Sequence, residues 1–160
     1  MLKFNRTTEY GLIALRHLSR RDAAGASSAR EISDVYGLPF DILAKTLQRL
    51  KDSGIIQSAQ GARGGYRLRR QLDEVTLAEF LELMEGANGV VACAEKSTET
   101  ANEDQAGCEY HSRCEIHGVM RGLNARMKTF LSGIRLSEFA GEPGVSEPIQ
   151  IENFARQVKS

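Results

Sequence analysis

Residues 28–70 read SAREISDVYGLPFDILAKTLQRLKDSGIIQSAQGARGGYRLRR, and the order of apolar steps and stops in this stretch decides the fold. Ser28 can cap a short helix, with Glu31 at the third position after it completing a capping box and Ile32, Val35 and Tyr36 expected to face inward. Gly37 ends that helix. Pro39 then suits the first turn of the next one, where Ile42, Leu43, Thr46, Leu47 and Leu50 recur at helical spacing until Ser53 and Gly54. Two helices so close together form a helix-turn-helix. Ile55 to Ser58 reads as a short strand, Gln60 to Gly65 as a glycine-rich turn, and Tyr66 to Arg69 as the returning strand. That hairpin is a wing.

Working outward, Thr7 and Thr8 precede Tyr10, Leu12, Ile13, Leu15 and Leu18, so a threonine-capped first helix is expected to run to about Ser19. His17 on it reads as a half-buried surface histidine. Past the wing, Thr76 caps a helix with Leu77, Phe80, Leu81 and Met84 that stops at Gly86. Ala94 to Gly107 is polar, acidic and without periodicity, which reads as a loop. Then Ile116, Val119, Met120, Leu123, Met127, Phe130, Leu131 and Ile134 recur every three or four residues, marking a long helix with an apolar stripe. So short a chain has little else to cover that stripe, which points to a second copy, a homodimer, the alternative being that it packs on the helix beginning at Thr76. The expected fold class is mainly α with a small β wing. The expected division is a winged helix-turn-helix domain over 1–75, a ligand loop and dimerisation helix over 76–140, and a tail over 141–160.

The 160 residues allow one compact domain, or a small domain with an appendage, and exclude a large multi-domain enzyme. No run of about 18 apolar residues occurs, and Met1 to Arg6 lacks the layout of a signal peptide, so a cytoplasmic location without membrane contact is expected. The formal net charge of +0 hides an asymmetry. Residues 1–75 carry 13 Lys and Arg against 8 Asp and Glu, and residues 76–160 carry 8 against 13, so the halves are +5 and −5. A basic first half suits a polyanion as partner.

Between positions 45 and 70 stand seven basic residues, Lys45, Arg49, Lys51, Arg63, Arg67, Arg69 and Arg70, against one acid, Asp52. Such density on a helix and a wing is the footprint of double-stranded DNA, since cations that neutralise phosphates release condensed counterions. Pro39, Phe40, Asp41, Ala44 and Lys45 are expected near base edges in the major groove, with Arg49 on the same helix. Gln60, Arg63, Tyr66 and Arg67 are the wing candidates, Arg63 reaching toward a minor groove. Glycines 61, 64 and 65 are expected to supply positive φ and close approach to the duplex. A phosphate-cradling P-loop is excluded, because no Lys-Ser/Thr pair follows and the next element is a strand. No nucleophile with its base and no cofactor fingerprint suggests an enzyme.

Cys93, Cys108, Cys114 and His117 remain. Three thiolates and an imidazole make a four-ligand set for iron-sulfur clusters, zinc or copper(I). Cys108 lies in QAGCEYHSRC, a polar segment ill suited to burying a thiol. His111 is a competing ligand. Zinc would fold the loop permanently, whereas an iron-sulfur centre can change state and so report a signal.

Thr8-Glu9-Tyr10-Gly11-Leu12, Asp34-Val35-Tyr36-Gly37-Leu38, Arg49-Leu50 to Gly54-Ile55, Gly64-Gly65-Tyr66 and the three cysteines together resemble the IscR/NsrR family of bacterial winged-helix regulators, from Leu2 to about Phe139. The resemblance implies an elongated homodimer joined by the long helix, and a transcription regulator, with repressor the expected role. It also implies an iron-sulfur cluster on Cys93, Cys108 and Cys114. In one branch a histidine three places after the last cysteine completes a 2Fe-2S site, and His117 stands there. In the other an acidic residue of the partner's first helix completes a 4Fe-4S site, and Glu9 has that place. His117 is preferred, because a cysteine and a histidine three apart at a helix start can address one metal. The sequence departs from the family in a longer Cys93–Cys108 loop and in Gln60, where many members carry arginine. The competing reading is a cluster-free, thiol-based redox sensor that binds DNA.

Overall fold

Asn5 starts the first helix in the computed structural model, which describes residues 4–21, 25–61, 64–86 and 113–141. Its Oδ1 accepts from the Thr8 N–H at 2.8 Å, so the cap of α1 (Arg6–Arg21) is an asparagine and not a threonine. Thr8 is buried instead and its hydroxyl is used elsewhere. Ser28 caps α2 (Ala29–Tyr36) by accepting from the Glu31 N–H at 3.1 Å. The reciprocal half of the box is replaced by an ion pair, Glu31 with Arg21 at 2.8 Å. Gly37, at φ 63°, closes α2 in the left-handed conformation that glycine adopts without a Cβ clash.

Ile32 and Ser33 are the buried residues of α2, and the Ser33 hydroxyl donates to the Leu38 carbonyl at 2.7 Å. That contact rotates the buried face toward Ser33, 100° from Ile32, and turns Val35 out to 58% exposure. Tyr36 stands at the edge of the same face. Neither packs inward as its spacing suggested. In α3 (Phe40–Asp52), Leu43, Thr46, Leu47 and Leu50 fill the inner face, against α1 and α2, while Ile42 lies exposed on its flank.

The wing is an antiparallel pair, β1 (Ile56–Ala59) and β2 (Gly65–Leu68), with Ile56 opposite Leu68 and Ala59 opposite Gly65. Ser27 adds a bridge on the outer side of β2. Its N–H donates to Tyr66 O at 3.0 Å, and the Tyr66 N–H donates to Ser27 O at 2.8 Å. A Cβ on Gly65 would lie 2.5 Å from the carbonyl carbon and oxygen of Ser27. The glycine is therefore required by the protein's own backbone. Of the turn glycines 61, 64 and 65, Gly61 alone has a positive φ.

Thr76 caps α4 (Leu77–Glu85) through the Glu79 N–H at 3.1 Å. Phe80 and Met84 of α4 join Leu15, Leu18, Leu47 and Leu50 in one core, so the packing continues across residue 76. Along α5 (His117–Ser132) no residue is buried. Its end packs on the body through Phe130 and Leu131, after which the chain returns to the segment before α4. There the Leu77 N–H donates to Ile134 O at 2.8 Å, and the Leu136 N–H to Val75 O at 3.0 Å. A last turn, α6 (Ser137–Ala140), lies against α1. Ile116 just ahead of α5, and Val119 and Leu123 on it, stay uncovered, Val119 at 71% exposure.

Candidate nucleic-acid interface and metal ligands

Helical stepping puts Asp41, Lys45, Gln48 and Asp52, at intervals of four, three and four, on the face of α3 opposite its buried leucines, and all four are exposed. This face is mixed in charge. Gln48 Nε2 donates to Asp52 Oδ1 at 2.7 Å, which leaves Asp41 and Lys45 as the ionic groups at its leading end. Pro39 and Phe40 are exposed at the start of the helix and Ala44 is half-buried. The Arg30 guanidinium lies 5.1 Å from the centroid of the Phe40 ring, a cation-π contact that brings a further basic group beside the first turn. Sequence reading missed Arg30, since nothing local couples position 30 to position 40.

Among the described residues of the basic set, Arg49 and Arg70 are engaged by the protein. Arg49 Nη1 donates to Met84 O at 3.1 Å, which ties α3 to the last turn of α4. Arg70 pairs with Glu79 and also donates to Glu74 O at 3.1 Å, and its hydrogen bond to the Glu79 carboxylate holds its pKa above the ordinary arginine value. Lys45, Lys51, Arg67 and Arg69 are exposed. Gln60 is exposed beside the turn, and Tyr66 is half-buried with its backbone engaged by Ser27. Arg63 lies outside the described residues.

His17 is not a surface histidine. It is 6% exposed, with Nε2 3.0 Å from Ser27 Oγ, Nδ1 3.3 Å from Tyr36 Oη, and its ring edge-on to Tyr36 at 5.6 Å. Burial pushes its pKa below the usual histidine value, the Glu31 carboxylate opposing and Arg21 assisting to lesser degrees. The imidazole thus joins α1 to the residue bridging the wing and to the end of α2. Its partners lie 10 and 19 residues away, so spacing gave no sign of them.

Of the metal candidates, Cys114 is half-buried just ahead of α5 and His117 is the first residue of that helix. The His117 N–H donates to Cys114 O at 3.3 Å, so the two belong to one turn, three residues apart. A thiolate and an imidazole in that relation fit one soft or borderline metal. Glu9, in the first turn of α1, is paired with Arg6 at 2.8 Å and borders a recess with Phe4, Asn5 and Arg6. Cys93, Cys108 and His111 lie outside the described residues. Among the described residues no three His, Cys, Asp or Glu side chains converge as a metal site.

Comparison with known proteins agrees with this architecture. Among the described residues no helix is long and apolar enough to cross a membrane. The HTH-type transcriptional regulator IscR of Aliivibrio salmonicida is 24% identical over 153 residues, 96% of this chain and 86% of the relative. The fold is that of CymR, the global cysteine regulator of B. subtilis, at TM-score 0.63 and 24% identity over 88% of this chain and 97% of that one. It is also that of T. potens IscR, at TM-score 0.59 and 21% identity over 85% and 84%. These relatives are transcriptional regulators and not enzymes. A family profile described as Rrf2, iron-dependent transcriptional regulator, matches residues 4–142, and the chain accordingly belongs to the Rrf2 family of winged-helix transcriptional regulators.

Proposed function

We propose that this regulator grips its DNA operator as a homodimer and that an iron-sulfur centre held by Cys93, Cys108 and Cys114 sets the strength of the grip. The observation that carries the reading is the Cys114–His117 turn at the head of α5, which includes uncovered Ile116 and directly precedes uncovered Val119 and Leu123. His117 is the preferred fourth ligand and a 2Fe-2S centre the preferred type. Glu9 from a second copy, after release from Arg6, is the alternative that would accompany a 4Fe-4S centre. When bound, such a group supplies a chemistry whose oxidation state and integrity answer to iron supply, redox conditions or nitric oxide.

The residues of the chain do the rest. Lys45, Arg67 and Arg69, with Arg63, neutralise phosphates, and Asp41 and Lys45 approach base edges from the leading end of α3. Ile116, Val119 and Leu123 bury against their counterparts in the second copy, which fixes the separation of the two α3 helices. Dimeric readers need half-sites about 34 Å apart or a multiple of that, so a small change at the head of α5 can remove much of the specific affinity. Cys114 and His117 stand at that head.

The likeness to CymR, the global cysteine regulator of B. subtilis, favours one competing reading, in which the thiols respond without a cluster. Anaerobic purification separates the two. Visible absorption with stoichiometric iron and acid-labile sulfide supports the cluster, and a colourless protein whose DNA binding still responds to oxidants supports bare thiols. Alanine at each cysteine in turn then tests the sensing role: unchanged operator affinity and unchanged response to nitric oxide or oxygen rule it out.

A further inference from the structure

The last turn of α4 is fastened from two sides. Glu85 Oε1 accepts from the buried Thr8 hydroxyl at 2.7 Å and from the Asn5 N–H at 3.0 Å, which holds the turn against the start of α1. One residue earlier, Met84 O accepts from Arg49 on α3 at 3.1 Å. The final carbonyls of a helix lack partners within it and carry the negative end of its dipole, so a guanidinium is a fitting cap for α4. We propose that Glu85 and Arg49 are positioning residues for operator reading: Glu85 fixes the end of α4 on α1, and Arg49 fixes the tilt of α3 from that end. This deepens the operator-binding reading and rests on it.

Asp41 and Lys45 precede Arg49 by eight and four residues on the same helix. At 1.5 Å per residue the leading end of α3 is about 12 Å from the anchor, so a 10° tilt about Arg49 displaces Asp41 by about 2 Å. That is more than a hydrogen bond to a base tolerates, yet a phosphate contact through a flexible lysine survives it. The loss should therefore fall on sequence discrimination and not on general affinity for DNA. The chain leaves this clamp at Gly86, seven residues before Cys93, so the tilt of α3 is anchored at the root of the cysteine-bearing stretch.

The test uses the full chain, a duplex that the wild type selects from a random pool, and an unrelated duplex of equal length, each titrated over a range of KCl. Glu85→Ala is expected to reduce the affinity ratio of the two duplexes about tenfold with the salt slope unchanged. Glu85→Gln keeps an accepting oxygen and should restore the ratio. Arg49→Ala should act like Glu85→Ala, whereas a phosphate contact would weaken both duplexes alike and lower the salt slope by about 0.9. That second pattern overturns the assignment of Arg49, and an undiminished ratio in Glu85→Ala overturns the clamp. Should Glu85→Ala not fold, Thr8→Val removes the donating hydroxyl at nearly constant volume and is read in the same way. A wild type without salt-dependent binding refutes the operator reading itself, an outcome visible before any variant is made.

Discussion

Replacing Gly65 with alanine should loosen the wing from the body, and the size of the effect follows from one close approach. The new Cβ would lie 2.5 Å from the carbonyl carbon and oxygen of Ser27 and 2.8 Å from the Ser28 nitrogen, all main-chain atoms that no rotamer change can move. Overpacking of this kind costs about 1–3 kcal/mol. If Ser27 withdraws instead, the two hydrogen bonds between Ser27 and Tyr66 go with it, at about 1 kcal/mol each. Both routes centre on a loss of about 2 kcal/mol. For a domain of this size each kcal/mol lowers Tm by about 4 °C, so a fall of about 8 °C is expected in a thermal melt. The urea midpoint should fall with it while the m-value holds, since the core is untouched. Gly118→Ala is the matched control. It lies inside α5 with nothing within 4 Å of a built Cβ, so alanine there should stabilise by about 0.5–1 kcal/mol through the unfolded chain. A Gly65→Ala melt within about 2 °C of wild type would refute the reasoning, because Ser27 would then not be seated on the strand.

Three further outcomes are expected. Lys45→Ala should weaken binding to selected and unrelated duplexes by a similar factor and lower the salt slope by about one, as measured by fluorescence anisotropy against KCl; an unchanged slope would remove Lys45 from the interface. Val119→Glu places a charge on the uncovered face of α5 and should convert the dimer to monomer in light scattering while the Tm of the monomer body changes little. A Val119→Glu chain that remains dimeric would mean that another surface joins the copies. His17 is held neutral by burial, so the unfolded chain binds its proton more readily. Stability should rise with pH through the window from the lowered folded value up to the ordinary value of about 6.5, and be lost as pH falls through it. Urea midpoints at pH 5.5 and 7.5 should therefore differ by less in His17→Gln than in wild type.

The elements written in local punctuation were readable from the chain itself. Ser28, Gly37, Thr76 and Gly86 each act on a neighbour within four residues, and the helices and the wing lie where those signals put them. What the sequence concealed depends on atoms from distant segments. The charge of Arg49 is visible at position 49, whereas the Met84 carbonyl that accepts from it lies 35 residues away. Gly65 signals that something comes close without showing what, and Ser27 is far away in sequence. Val35 and Ile42 carry the right spacing for a core, but Ser33 and Thr46 take the inner positions through hydrogen bonds to the Leu38 and Ile42 carbonyls. Cys114 and His117 could be paired from their spacing alone, and they do share a turn.

The return of Ile134 to Leu136 alongside Val75 to Leu77 builds the trailing end of α5 into the body, so the helix acts on that root as a lever. Sixteen residues span about 24 Å, so a rotation of 10° at the built-in end sweeps the tip carrying His117 through about 4 Å. The relation runs backward as well. A force applied at the tip acts on the root with the whole length of the helix as its moment arm, and the root is stitched by main-chain hydrogen bonds to the strand-like segment that leads into α4. A small displacement at one end of this beam is thereby presented to the other end as torque.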